Sequence, residues 1–99
     1  MHEDNIIIQG YIFVRTCFAC PEQYDVYLGK QQVAYIRLRH GRIYASSPDV
    51  GGETIYLAFP KGDGIFASDE ERDFHLEQVS KALDYEKRQQ EFIQRLISG

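Results

Sequence analysis

Apolar and polar residues alternate at period two through the first sixty positions, and helical spacing takes over after Ser68. This pattern predicts an α+β fold: a two-layer domain in which a mostly antiparallel, four- to five-stranded meander is packed by one long C-terminal helix. The 99 residues, 43% hydrophobic and 26% charged, suit one domain over 1–99 with one modest core. A chain this short buries only about two thirds of its unfolded surface, which leaves little room for a deep catalytic cavity.

The strands are expected within about residues 5–59. The first covers about 5–15, with Ile6, Ile8, Ile12 and Val14 on one face, Ile7, Tyr11 and Phe13 on the other, and Gly10 as a bulge or break. A loop from Cys17 to Pro21 leads to a strand at 25–28, then a polar turn at Gly29, Lys30 and Gln31. Strands at 33–39 and 42–46 flank His40-Gly41, a two-residue hairpin loop in which Gly accepts positive φ at no cost. After the loop at 47–52, the last strand runs over 54–59 and is stopped by Pro60 and the turn from Lys61 to Gly64.

Ser68 followed by Asp69, Glu70 and Glu71 has capping-box spacing, with acids where the helix dipole favours them. The helix is expected from about 69 to 97, with Leu76, Val79, Ala82 and Leu83 toward the sheet. Unbroken, it would be about 43 Å long and would outrun a six-residue strand. It must therefore overhang, bend, or break near the polar stretch 84–91. Phe92, Ile93, Leu96 and Ile97 then form a second apolar stripe, which either folds back or meets another chain.

With Val26, Leu28, Ala34, Ile36, Leu38, Ile43, Ala45, Ile55, Leu57 and Phe59 toward the helix, alternation sends Tyr27, Tyr35, Arg37, Arg39, Arg42, Tyr44 and Tyr56 to the opposite face. The His40-Gly41 loop pairs Arg39 with Arg42 and Arg37 with Tyr44. Two arginines directly opposite each other cost stability unless something negative lies between them. Asp25 is a candidate partner for Arg37, and Glu53 for the Arg39 and Arg42 pair. Tyr and Arg so arranged are either solvated strand residues stacked on each other, a protein contact, or a platform on which bases stack while Arg holds phosphates. His40, beside the Arg pair, joins this candidate site.

The net charge of −4 argues against a generally basic nucleic-acid coat. Charge is nevertheless segregated. Residues 24–61 carry five bases against three acids, and residues 62–99 five bases against nine acids.

Cys17-Phe18-Ala19-Cys20 has C-x-x-C spacing, half of a zinc site or a redox pair. The chain after it leads into a strand rather than a helix, against the redox reading. The frame Ser47-Pro48-Asp49-Val50-Gly51-Gly52 has Ser47 and Val50 where a zinc knuckle would place thiolates. Structural thiols at Cys17 and Cys20 therefore rank ahead of a metal, and no cofactor is expected. The three His have no Ser and Asp partners at triad spacing, Lys61 to Gly64 lacks the order of a phosphate loop, and the calcium-loop order is missing. No catalytic residue is nominated. His75, in the first turns of the helix, reads as surface or packing.

The segments Tyr24 to Tyr27, Tyr35 to Gly41, Gly51 to Tyr56 and Lys61 to Gly64 together resemble small uncharacterised bacterial and phage-type proteins. The resemblance covers about the middle half of the chain and implies no activity, cofactor or catalytic residue.

The acidic N-terminus lacks the features of a secretory signal, and no apolar run approaches the roughly 20 residues that span a bilayer. The sequence is thus expected to encode a small cytoplasmic, non-enzymatic binding or interaction module working through the Tyr/Arg face. Its partner is a protein or, through Phe92, Ile93, Leu96 and Ile97, a second copy in a homodimer, and no membrane is involved. The alternative is single-stranded nucleic-acid or other anion binding on the same face, with a small enzyme last.

Overall fold

A computed structural model describes residues 5–17 and 22–98 of the chain. Alternating side chains produce six strands among the described residues: β1 (Ile6–Ile8), β2 (Tyr11–Cys17), β3 (Gln23–Leu28), β4 (Gln31–Arg39), β5 (Arg42–Ser47) and β6 (Glu53–Ala58). They form one antiparallel meander in chain order and pack against a single long helix, α1 (Asp69–Ser98). The backbone of α1 approaches both β1 and β6, the two edges, so the sheet curls around the helix as a trough. Among the described residues, no helix is long and apolar enough to cross a membrane.

The strand count is six because residues 5–15 are a hairpin rather than one strand. Gln9 and Gly10 have φ of 57° and 86°, the paired positive values of a type I′ turn. The turn reverses the chain and pairs Ile6 with Phe13 and Ile8 with Tyr11. It therefore regroups the faces: Ile6, Ile8, Tyr11 and Phe13 share the helix side, while Ile7, Ile12 and Val14 lie on the other. His40 and Gly41, with φ of 56° and 70°, make the same kind of turn between β4 and β5.

The core joins Phe13, Tyr24, Val26, Ala34, Ile36, Leu38, Ile43 and Ala45 from the sheet to Leu76, Val79 and Leu83 from the helix. Burying each large aliphatic or aromatic side chain is worth about 1.5–3 kcal/mol. Leu28 sits at the exposed end of β3, where a register shift after Val26 breaks the inward series.

At β6 the expected faces are inverted from Tyr56 onward, while Ile55 packs against the core as expected. A bulge between Ala45 and Ser46 makes Ile55 the extra residue, so Tyr56 pairs with buried Ala45 and turns toward the helix. Leu57, 51% exposed, and Phe59, 73% exposed, lie away from it. Tyr56 gains a polar partner in exchange: its hydroxyl lies 2.7 Å from Nδ1 of His75.

The helix starts as its cap predicts. Ser68 Oγ accepts the N–H of Glu71 at 3.0 Å, and the Glu71 carboxylate accepts the N–H groups of Ala67 and Lys61 at 2.7 and 2.6 Å. Burial would push the Glu71 carboxyl up, but these two N–H donors outweigh it and hold the group below its usual value. The helix does not break near 84–91. It continues unbroken past the sheet, and the stripe from Phe92 to Ile97 does not fold back.

His75, 8% exposed, stacks on Phe66 and meets the edge of Phe74. Burial lowers its pKa, against the opposing pull of the Glu71 carboxylate. Its neutral form is therefore the one the fold holds. The stability this provides is fully present above the unfolded-state value near 6.5 and is lost as pH falls through the lower folded-state value. Urea midpoints of the wild type should drop more between pH 7.5 and 5.5 than those of His75→Asn. Parallel pH profiles would contradict this.

Candidate binding face

The sheet's outer face is built by the β4–β5 hairpin. Because the His40-Gly41 turn fixes the register, Arg37 lies opposite Tyr44, Tyr35 opposite Ser46, and Arg39 opposite Arg42. The next strand on each side extends these rows, with Gln23 beside Arg37, Leu57 beside Tyr44 and Thr54 beside Ser46.

Tyr35, Arg37, Tyr44, Ser46 and Thr54, with Val50 and Gly52 from the following loop, line an open depression of about 290 Å³. Gly52 is needed for the loop to lie there, since a Cβ at this position would fall 1.9 Å from the Ser47 carbonyl oxygen. Arg37 is half-buried in this floor. Its Nε is buried, and among the described residues it has no hydrogen-bond acceptor. The Tyr35 hydroxyl donates to Gln23 Oε1 at 2.8 Å, which fixes the ring beside the guanidinium. Burial raises the Tyr35 pKa, and the positive charge of Arg37 opposes the shift.

Neither expected counter-charge is in place. Asp25 accepts from Gln32 Nε2 at 3.3 Å rather than pairing with Arg37, and burial raises its pKa despite that bond. Glu53 pairs in the sheet with Ser47, at the opposite end of β5 from Arg42. Among the described residues, no carboxylate forms an ion pair with Arg37, Arg39 or Arg42. Arg39 Nε instead donates to Nε2 of exposed His40 at 3.1 Å, and the Gly41 N–H donates to Asp63 at 3.0 Å.

Two unrelieved like charges on facing residues cost a few tenths of a kcal/mol. Arg39→Ser should therefore raise the urea midpoint slightly. A fall would mean that an acid relieves the pair after all.

Of the sequence-derived set, Tyr35, Arg37 and Tyr44 converge on the depression, and Arg39, His40 and Arg42 form the adjoining hairpin tip. Tyr27 shares the face but pairs with Gln32, which is seven residues, or about 23 Å, along β4 from Arg39. Tyr56 leaves the face altogether, and Leu57 takes its place. Cys17 is half-buried at the end of β2, and Cys20 lies outside the described residues. Among the described residues, no group of three or more His, Cys, Asp or Glu converges as metal ligands would.

Sequence reasoning missed Glu22, which is 4% exposed. Its carboxylate accepts the Tyr24 hydroxyl, accepts the Phe66 N–H at 3.2 Å, and pairs with Arg15 at 3.6 Å. Its backbone also bonds to Gly64 and Leu38, so one residue ties the chain before the helix to the sheet. Burial and the bond to Glu22 raise the Tyr24 pKa. The available signal was Arg15: once Tyr11 and Phe13 point inward, so does Arg15, and an inward guanidinium needs a carboxylate.

Comparisons with protein-family models, with curated proteins and with solved structures give no match for this chain.

Proposed function

We propose that this protein is a small cytoplasmic, non-enzymatic binding module that uses the Tyr35, Arg37 and Tyr44 depression to hold an acidic group of a protein partner. The observation that carries the reading is the buried Arg37 Nε–H with no acceptor among the described residues. An unmet buried donor costs about 1–3 kcal/mol, and an incoming carboxylate or phosphate oxygen would meet it with a charge-assisted bond.

A protein partner is favoured because the same face carries Leu57, Ile12 and Val14, the mix of Arg, Tyr and aliphatic surface typical of protein contacts. The buried carboxylate and the buried imidazole are already committed, Glu22 to Tyr24 and Arg15 and His75 to Tyr56, which supports binding over catalysis. A low cysteine count fits a reducing compartment.

Single-stranded nucleic acid is the second reading, favoured by the Tyr rings flanking Arg37 and by the uncompensated Arg39 and Arg42. Fluorescence anisotropy with a labelled Glu-rich peptide and a labelled ten-nucleotide single strand, at low and moderate salt, separates the two. Peptide binding that persists at moderate salt supports the first reading. Oligonucleotide binding that collapses with salt supports the second. Binding of neither probe at low salt would count against an anion-binding face.

A further inference from the structure

We infer that two copies of this chain pair in parallel along α1, helix against helix, with their sheets outward. The helix has 30 residues, about 45 Å of length. Its buried attachment to the sheet ends at Leu83 and at Asp84, whose carboxylate accepts the Tyr11 hydroxyl at 2.7 Å, and Glu86, Lys87 and Gln90 only line an open groove beside the sheet. Every residue from 87 to 98 is exposed. A dozen helical residues that bury no side chain are marginal in water, so this segment needs a covering surface.

The pattern says which surface. Gln78, Ala82, Tyr85, Gln89, Phe92 and Leu96 follow each other at steps of four, three, four, three and four, the seam spacing of a two-stranded coiled coil. This seam lies roughly 140° around the helix from Leu76, Val79 and Leu83, so it faces out of the trough while those residues face into it. Phe74 and Ile93 flank it, while Ile97 lies round toward the sheet side. The large apolar side chains along the seam and its flanks are 50–66% exposed from Phe74 to Leu96. They offer on the order of 500 Å² per protomer, so a pair would reach the roughly 1,000 Å² that a specific interface requires.

Charge selects a second copy in parallel orientation. Position 81 on one helix then lies beside position 86 on the other, so Lys81 meets Glu86 twice, once across each side of the two-fold axis. An antiparallel pair would instead place Arg88 beside Arg95. Gln89 faces its own copy on the axis, where a polar pair fixes register. Because the Tyr/Arg face is on the far side of each sheet, the dimer would leave both copies of that face open.

Sedimentation velocity of the full chain from 5 to 200 µM tests the inference. The expected mass is twice 11.5 kDa at the upper concentrations. Phe92→Glu with Leu96→Glu, both at exposed sites, should halve it, with any loss of far-UV helical signal limited to the segment beyond residue 86 and cooperative urea unfolding of the rest retained. Lys81→Glu should weaken the dimer, and adding Glu86→Lys should restore it. A monomer at 200 µM, or a dimer untouched by the two seam substitutions, overturns the interface. Failure of the charge swap to restore the dimer overturns the parallel orientation.

Discussion

Replacing Glu22 by Ala should lower stability by about 3 kcal/mol, the range for removing one partner of a buried ion pair. The substitution strands two groups at once, the hydroxyl of fully buried Tyr24 and the Phe66 N–H, and takes the Glu22 carboxylate away from the inward guanidinium of Arg15. It also frees the segment before α1, although the backbone bonds from Glu22 to Gly64 and Leu38 can persist. Glu22→Gln keeps an acceptor and should cost roughly half as much, since only the charge is lost. Urea unfolding measures both. A cycle with Tyr24→Phe apportions the loss, because removing the hydroxyl removes one of the stranded groups. Equal midpoints for wild type and Glu22→Ala would show that the cluster contributes nothing.

Arg37→Thr should have opposite effects on binding and on stability. On the proposed reading it weakens any anionic partner by ten-fold or more, the usual scale for a central Arg anchor. Folding should not suffer, because the substitution removes a buried donor that lacks an acceptor and puts a good strand former in its place. Anisotropy titration and urea unfolding of the same variant check both halves. A variant that binds normally but unfolds easily would make Arg37 a structural residue.

The β4–β5 hairpin was legible in the sequence because one turn settles it. His40-Gly41 fixes register, and from register follow the Arg39 and Arg42 pair, the Arg37 and Tyr44 pair, and the face that both occupy. The β1–β2 hairpin was hidden because Gln9-Gly10 lacks the Asn or Asp that usually marks such a turn, and both flanking runs are apolar on both faces. Tyr56 went to the wrong face for a related reason. The loop before β6 is long enough to allow either register, and Ile55, Leu57 and Phe59 look more apolar than Tyr56 and Ala58. The bulge at Ile55 and the polar partner His75 decided the matter, and neither can be read from alternation.

The candidate site divides the same way. Which side chains share the outer face follows from period two. That Arg37 lacks an acceptor does not, because it depends on where Asp25 and Glu53 end up: Asp25 bonds to Gln32, and sheet pairing carries Glu53 away.

The most direct test of the proposed binding face is the Arg37 side chain itself, observed as its Nε–H resonance in a ¹⁵N-labelled sample titrated with a Glu-rich peptide and then with a ten-nucleotide single strand at low salt. The proposed face requires a saturable shift of that resonance together with the backbone amides of residues 35–46 and 54. An unmoved Arg37 signal, with shifts confined to the basic residues of α1 or absent altogether, would contradict it.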